Sequence, residues 1–139
     1  MGAVNWIAVI LGANLAVALG MVWHGPLFRT GRPLLEGMGA DGADKEKGAP
    51  IRNYGIVVVV MLIAATMMGH NFARLGAAHL AGKPWLYWMM SGGLAVAFVI
   101  PAVCLGALRQ GVARRMILID CGYWLAAYLA MGTVFWVMG

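Results

Sequence analysis

Four long apolar runs dominate the pattern of the chain, and the segments between them hold nearly all of the charges. The runs cover residues 5–28, 54–72, 85–108 and 116–138. A helix needs about 20 apolar residues to cross the hydrocarbon core of a bilayer, and each run has roughly that length. The pattern predicts an all-α membrane protein, with residues 1–139 forming a single domain built as a four-transmembrane-helix bundle.

The composition agrees with a membrane protein. Of the 139 residues, 63% are hydrophobic and 11% are charged, whereas a soluble domain is about half apolar and about a quarter charged. The first basic residue, Arg29, follows the first apolar run. A cleavable signal peptide carries its basic residues before the apolar run, so we expect this run to remain as a transmembrane helix.

The positions of Lys and Arg predict an orientation. The loop over residues 29–53 contains five of them and the turn over residues 109–115 contains three, whereas the opposite side has only Arg74 and Lys83. Loops rich in Lys and Arg stay in the cytoplasm. We therefore expect the 29–53 loop to be cytoplasmic and both termini to lie on the outer side of the membrane, which is the periplasmic side if the membrane is a bacterial inner membrane.

The net charge of +5 does not indicate nucleic acid as a partner. The basic residues lie in loops next to the apolar runs, where they contact anionic lipid headgroups. Aromatic side chains are enriched at membrane interfaces. On the outer side we expect such an aromatic belt from Trp6, Trp85, Tyr87, Trp88 and Trp136.

Small residues recur at every fourth position of two runs, and they allow helix backbones to approach closely. In the first run these are Ala8, Gly12, Ala16 and Gly20, and in the last run they are Gly122, Ala126 and Ala130. They pack helices within one bundle, or they dock a second copy or another membrane protein. Near the middle of the first run, Asn14 is expected to bond across helices, the alternative being that it lines a polar path.

The first and last runs resemble a known family at specific motifs. The first reads NWIAVILGANLAVALGMVWHGPLF, and the last contains LIDCGYW with Asp120 and Tyr123. These motifs resemble the bacterial membrane family known as domain of unknown function 1761, whose first helix exits with Trp-Tyr-x-Pro-x-Phe. Here His24 stands where the family usually has Tyr. The resemblance implies a small four-helix integral membrane protein and implies no known activity.

A polar cluster is predicted at the inner end of the bundle. Asp120 is the only acid inside a run, and His24, Arg29 and Tyr123 are expected at the same depth. Intramembrane acids are costly and often mark functional sites, and His titrates near neutral pH. Either Asp120 pairs with a neighbour to hold helices together, or the cluster binds a proton or a substrate.

Soft ligands raise the question of a metal site, because thiolate, imidazole and thioether groups bind zinc or copper. The candidates are Cys104, Cys121, His70, His79, Met67 and Met68. The chain has no C-x-x-C, H-x-x-x-H or M-x-x-M spacing, and buried Cys and Met commonly pack as hydrophobic residues. We therefore predict no bound metal and no other cofactor.

Three classes of function remain after these exclusions. The first is a protein that acts by helix–helix association, as a homo-oligomer or as an accessory subunit of a larger membrane complex. The second is a small proton-linked transporter or ligand-binding protein that uses His24, Asp120 and Tyr123. The third is a membrane enzyme, for which that same cluster is the only support, since the sequence has no Ser-His-Asp arrangement, phosphate loop or paired carboxylates.

Overall fold

The computed structural model describes residues 2–28 and 49–139, and the side chains of residues 2–28 and 54–139. Within this part of the chain, four helices are long and apolar enough to cross a membrane, and no strand is present. The predicted four-transmembrane-helix bundle is therefore confirmed. Most of the predicted 29–53 loop lies outside the described residues, and the orientation of the termini stays a prediction.

The described residues form six α-helices and two π-helical turns. The helices are α1 (Trp6–Val22), α2 (Ala49–Leu75), α3 (Ala77–Gly82), α4 (Leu86–Leu94), α5 (Ile100–Arg109) and α6 (Arg114–Met138), and the π-helical turns are Trp23–Leu27 and Ala95–Val99. The spans are Trp6–Leu27, Tyr54–Leu75, Leu86–Arg109 and Arg114–Met138. The third span therefore joins α4 to α5 through a π-helical turn, and α3 is a short helix between the second and third spans.

Asn5 starts the first span and joins it to the end of the last. Its side-chain oxygen accepts a hydrogen bond from the Ala8 backbone N–H at 3.1 Å, which is how Asn caps the first turn of a helix. Its amide nitrogen donates to the carbonyl oxygen of Met138 at 2.8 Å. The two ends of the described chain therefore meet at the same end of the bundle.

A proline accompanies each π-helical turn, because Pro26 lies inside the first and Pro101 follows closely after the second. Pro26 has no N–H to donate to the carbonyl group one turn earlier, so the regular α-helical bonding cannot continue there. The helix widens instead, and the Phe28 N–H donates to the Trp23 carbonyl oxygen at 3.1 Å. The second π-helical turn ends shortly before Pro101. Such turns are rare and often lie at functional sites.

Helix α1 lies between α2 and α6, and α6 also contacts α4 and α5. The α1–α6 pair is therefore flanked by α2 and by α4–α5, and α2 also contacts α4 near the Asn5 end. Met61, Met68 and Met131 are among the largest fully buried side chains. Near the Asn5 end, the ring of Phe72 lies 4.7 Å from that of Tyr87 and 5.2 Å from that of Phe135, measured between centroids.

The predicted aromatic belt is wrong for Tyr87. Its side chain is only 7% exposed, because it packs against Phe72 in the core. Trp6, Trp85 and Trp136 are exposed on the surface of the bundle. Trp88 is partly buried and donates its indole N–H to the Thr133 hydroxyl at 2.9 Å.

Gly132 allows α4 and α6 to approach closely. The Ser91 hydroxyl on α4 is fully buried and donates to the Tyr87 carbonyl oxygen at 2.8 Å. A Cβ atom at Gly132 would lie 2.9 Å from that same carbonyl oxygen and would also overlap the Ser91 side chain. The glycine is therefore required for steric reasons at this contact.

Replacing this glycine is expected to destabilise the bundle. Gly132→Ala should lower the free energy of unfolding by about 1–3 kcal/mol, because the added methyl group overpacks a closed contact. Unfolding by denaturant in mild detergent, followed by circular dichroism, measures the change. Gly93→Ala is the matched control, since a Cβ atom there meets nothing within 4 Å. A Gly132→Ala protein as stable as the wild type would contradict this account of the α4–α6 contact.

Candidate functional site

His24 and Asp120 meet where the first span ends and the last span begins. His24 lies in the π-helical turn Trp23–Leu27 and is buried, and its Nδ1 atom lies 3.9 Å from a carboxylate oxygen of Asp120 on α6. The imidazole side chain is 8% exposed and the carboxylate side chain is 39% exposed. The pair therefore reaches from the surface of the bundle into its interior.

Tyr123 forms one wall of this site. It follows Asp120 by three residues on α6, which places both residues on neighbouring parts of the same helix face. Its ring packs edge-on against the His24 ring with centroids 5.2 Å apart. Its hydroxyl donates to the Ala16 carbonyl oxygen on α1 at 3.0 Å. Tyr123 thus positions the His24 ring and links α6 to α1.

Trp23 is a part of the site that the sequence interpretation missed. Its indole N–H donates to the Ile119 carbonyl oxygen at 3.0 Å, which fixes the π-helical turn to α6. The edge of its ring lies over Gly122, where a Cβ atom would come within 3.1 Å of the ring. An exposed interfacial Trp and a partly buried one look alike in sequence, so the pairing of Trp23 with Gly122 is visible only in the fold.

The arrangement places an imidazole beside a carboxylate at a partly dry site. Burial of the ring favours its neutral form, whereas the nearby carboxylate favours the protonated form. The structure brings together three of the four residues proposed for the cluster, namely His24, Asp120 and Tyr123. The fourth, Arg29, lies outside the described residues.

The small residues of the first span face the inside of the bundle. Ala8, Gly12, Ala16 and Gly20 are all buried, and a Cβ atom at Gly12 would lie 3.7 Å from Met131 on α6. In the last span, Gly122, Ala126 and Ala130 are partly buried. The regular spacing in the first span therefore serves contacts within one chain.

Asn14 lies on the opposite side of α1, and its predicted bond across helices is absent among the described residues. Its side chain is exposed, and its amide nitrogen donates to the Ile10 carbonyl oxygen of the same helix at 2.8 Å. The prediction is wrong for the single chain because the small-residue face, rather than the Asn14 face, packs against α2 and α6. An amide group consequently lies on the surface that faces lipid.

Two of the metal-site candidates are in contact, and the others lie apart from them. The Sγ atoms of Cys104 and Cys121 are 3.3 Å apart. Met68 is buried in the core, whereas Met67 is exposed; His70 is exposed on α2 and His79 on α3. Across residues 2–28 and 49–139, no group of three or more His, Cys, Asp or Glu side chains is placed to hold a metal ion.

Comparison with known proteins identifies the family of this chain. A family model described as "Protein of unknown function (DUF1761)" matches residues 7–136. No curated protein and no solved structure matches the chain. The match covers nearly the whole chain, and both His24 and Asp120 lie within it. The chain therefore belongs to the DUF1761 family of proteins of unknown function.

Proposed function

We propose that this protein acts by helix–helix association in the bacterial inner membrane, as a homo-oligomer in the first instance. An accessory-subunit role would use the same face of α1 against another membrane protein. The excess of Lys and Arg in residues 29–53 and 109–115 supports an orientation with both termini outside. Every copy then inserts in the same direction, so the α1 helices of two copies run parallel.

The exposed face of α1 carries the proposal. Ile7, Leu11, Asn14, Ala18 and Met21 follow the alternating three- and four-residue spacing of a coiled-coil seam. All five lie on the surface of the single chain, with exposed fractions of 63% for Ile7 and 48% for both Leu11 and Met21. We call these five residues the α1 seam.

A second copy of the chain is the occupant that fits the α1 seam best. In two parallel helices that pack along such a seam, each position meets its own equivalent, so Asn14 of one copy faces Asn14 of the other. An amide group provides both donors and acceptors. The side-chain oxygen of Asn14 (Oδ1) accepts no hydrogen bond from the described residues of its own chain, and a partner's amide N–H would satisfy it.

The Asn14 contact also specifies the pairing. A single Asn at such a position favours one register and one oligomeric state, because every shifted alignment leaves the amide against apolar side chains. Hydrogen bonds between transmembrane helices contribute about 0.6–2 kcal/mol each. Ile7, Leu11 and Met21 supply the remaining contact area on either side of Asn14.

Replacing Asn14 is expected to weaken self-association. Asn14→Val should raise the dissociation constant in liposomes by about 3- to 30-fold, because 1.4 kcal/mol corresponds to a tenfold change. The measurement is energy transfer between donor- and acceptor-labelled copies at increasing ratios of protein to lipid.

Leu15→Val is the matched control for this experiment. Leu15 follows Asn14 on α1 and is exposed, but it lies off the α1 seam. It should leave the dissociation constant unchanged. A wild-type protein that is monomeric at every ratio, or an Asn14→Val protein that associates as tightly as the wild type, would contradict the proposal.

A second candidate function rests on the His24–Asp120 pair. The carboxylate is partly exposed and the imidazole is buried, with 3.9 Å between their nearest atoms. This arrangement favours a role in taking up a proton at one end of the bundle. In this candidate the protein moves protons, or couples another solute to them, through His24 and Asp120, and Tyr123 holds the imidazole ring in place.

Removing the carboxylate distinguishes this second candidate from a purely structural pair. If the candidate holds, wild-type proteoliposomes should take up protons under a potassium diffusion potential, reported by an entrapped pH dye. Asp120→Asn and His24→Gln should reduce that uptake at least about tenfold, since each removes one proton-binding group. Ile63→Val, on the exposed surface of α2, is the control. Equal uptake by Asp120→Asn and the wild type would exclude the pair as a proton carrier.

A further inference from the structure

The two cysteines of the chain are in direct contact across two helices. Cys104 lies in the middle of α5 and Cys121 lies in the second turn of α6, and their Sγ atoms are 3.3 Å apart. The chain contains no other cysteine. A disulfide bond is about 2.05 Å long, so the sulfur atoms are little more than 1 Å from bonding distance.

A short, well-bonded turn holds the two cysteines in register. The Val112 N–H donates to the Ala107 carbonyl oxygen at 3.0 Å, and the Gly111 N–H donates to the Leu108 carbonyl oxygen at 3.2 Å. Gly111 has a φ of +66°, a conformation that glycine adopts without strain. Cys104 and Cys121 therefore face each other because the α5–α6 hairpin fixes their relative positions.

The distance between the sulfur atoms favours a disulfide over a metal site. Two thiolates bound to one zinc ion at about 2.3 Å each, in the tetrahedral arrangement that zinc prefers, would be about 3.8 Å apart. The observed 3.3 Å is shorter. No third His, Cys, Asp or Glu side chain completes a metal-binding group in the described part of the chain. A two-thiol site of this kind is built for bond formation between its own sulfur atoms.

The surroundings of the pair point to an oxidant dissolved in the membrane. Cys121 is buried and Cys104 is partly exposed, so an oxidant reaches the pair from the Cys104 side. Leu105 and Leu108, on the same two turns of α5, are exposed apolar side chains inside the third span. Lipid-soluble quinones are two-electron acceptors that partition into such an environment.

We propose that Cys104 and Cys121 form a redox-active pair that a membrane quinone oxidises to an intramolecular disulfide. The Sγ–Sγ bond forms and both S–H bonds break. The two electrons and two protons that leave the thiols reduce one quinone to one quinol. The new bond joins α5 to α6 directly next to Asp120, because Cys121 follows that residue in the chain.

The test uses the full-length protein, reduced and reconstituted in liposomes that contain a fully substituted benzoquinone, which cannot add to thiols at a ring C–H position. Thiol alkylation followed by intact mass spectrometry should show both wild-type thiols lost together, with a mass lower by two hydrogen atoms and one quinol formed per chain. Peptide mapping should place the bond between Cys104 and Cys121. Cys104→Ser and Cys121→Ser should each keep the remaining thiol under the same treatment.

Three outcomes would overturn the proposal. Both thiols could persist in a wild-type protein whose circular dichroism shows a folded bundle. A disulfide could join two chains instead of two helices of one chain. A quinone adduct could form on one sulfur. The double variant Cys104→Ala with Cys121→Ala should give no quinol, so quinol formed by it would show that another group reduces the quinone.

Discussion

The close packing of α1 against α6 is the contact on which the rest of the structure depends. Lipid tails are as apolar as the side chains, so transmembrane helices are held together by close van der Waals contact and by a few hydrogen bonds rather than by exclusion from water. Small residues such as Gly12 give α1 a flat inner face against Met131. The bonds from Asn5 to Met138 and from Trp23 to Ile119 then fix the two helices at both ends.

This contact creates the site and also leaves a surface uncovered. Because α1 is fixed against α6 beyond its last regular turn, the π-helical turn places His24 over Asp120 and Tyr123. Because the inner face of α1 is occupied by α2 and α6, the α1 seam faces lipid in a single chain. The first span therefore contributes His24 to the polar cluster and Asn14 to the proposed interface between copies.

Much of the architecture follows from the sequence, because the length and the apolar composition of each span are local properties of the chain. The four spans, and the closeness of His24 to Asp120, can be predicted from the position of each residue along its apolar run. Residues whose role depends on the rotation of a helix are not readable in this way. Tyr87 resembles a belt residue but packs in the core, and Asn14 lies on the outside of the bundle. Trp23 fits against α6 because Gly122 has no side chain. The depth of a residue in the membrane follows from its position in a single apolar run. The direction in which its side chain points depends on which neighbouring helices pack against that span.

Site-directed disulfide cross-linking along α1 would test whether its inner face packs within one chain while the α1 seam packs against a second copy. Single cysteines would be placed at successive positions from Ile7 to Met21, in a protein that carries Cys104→Ala and Cys121→Ala, and oxidised in liposomes. We expect cross-linked dimers to peak at the positions of the α1 seam and to be nearly absent at the inner positions Val9, Ala13 and Val17, which are buried in the single chain. Cross-linking that is absent throughout, or that peaks on the inner face, would contradict the account.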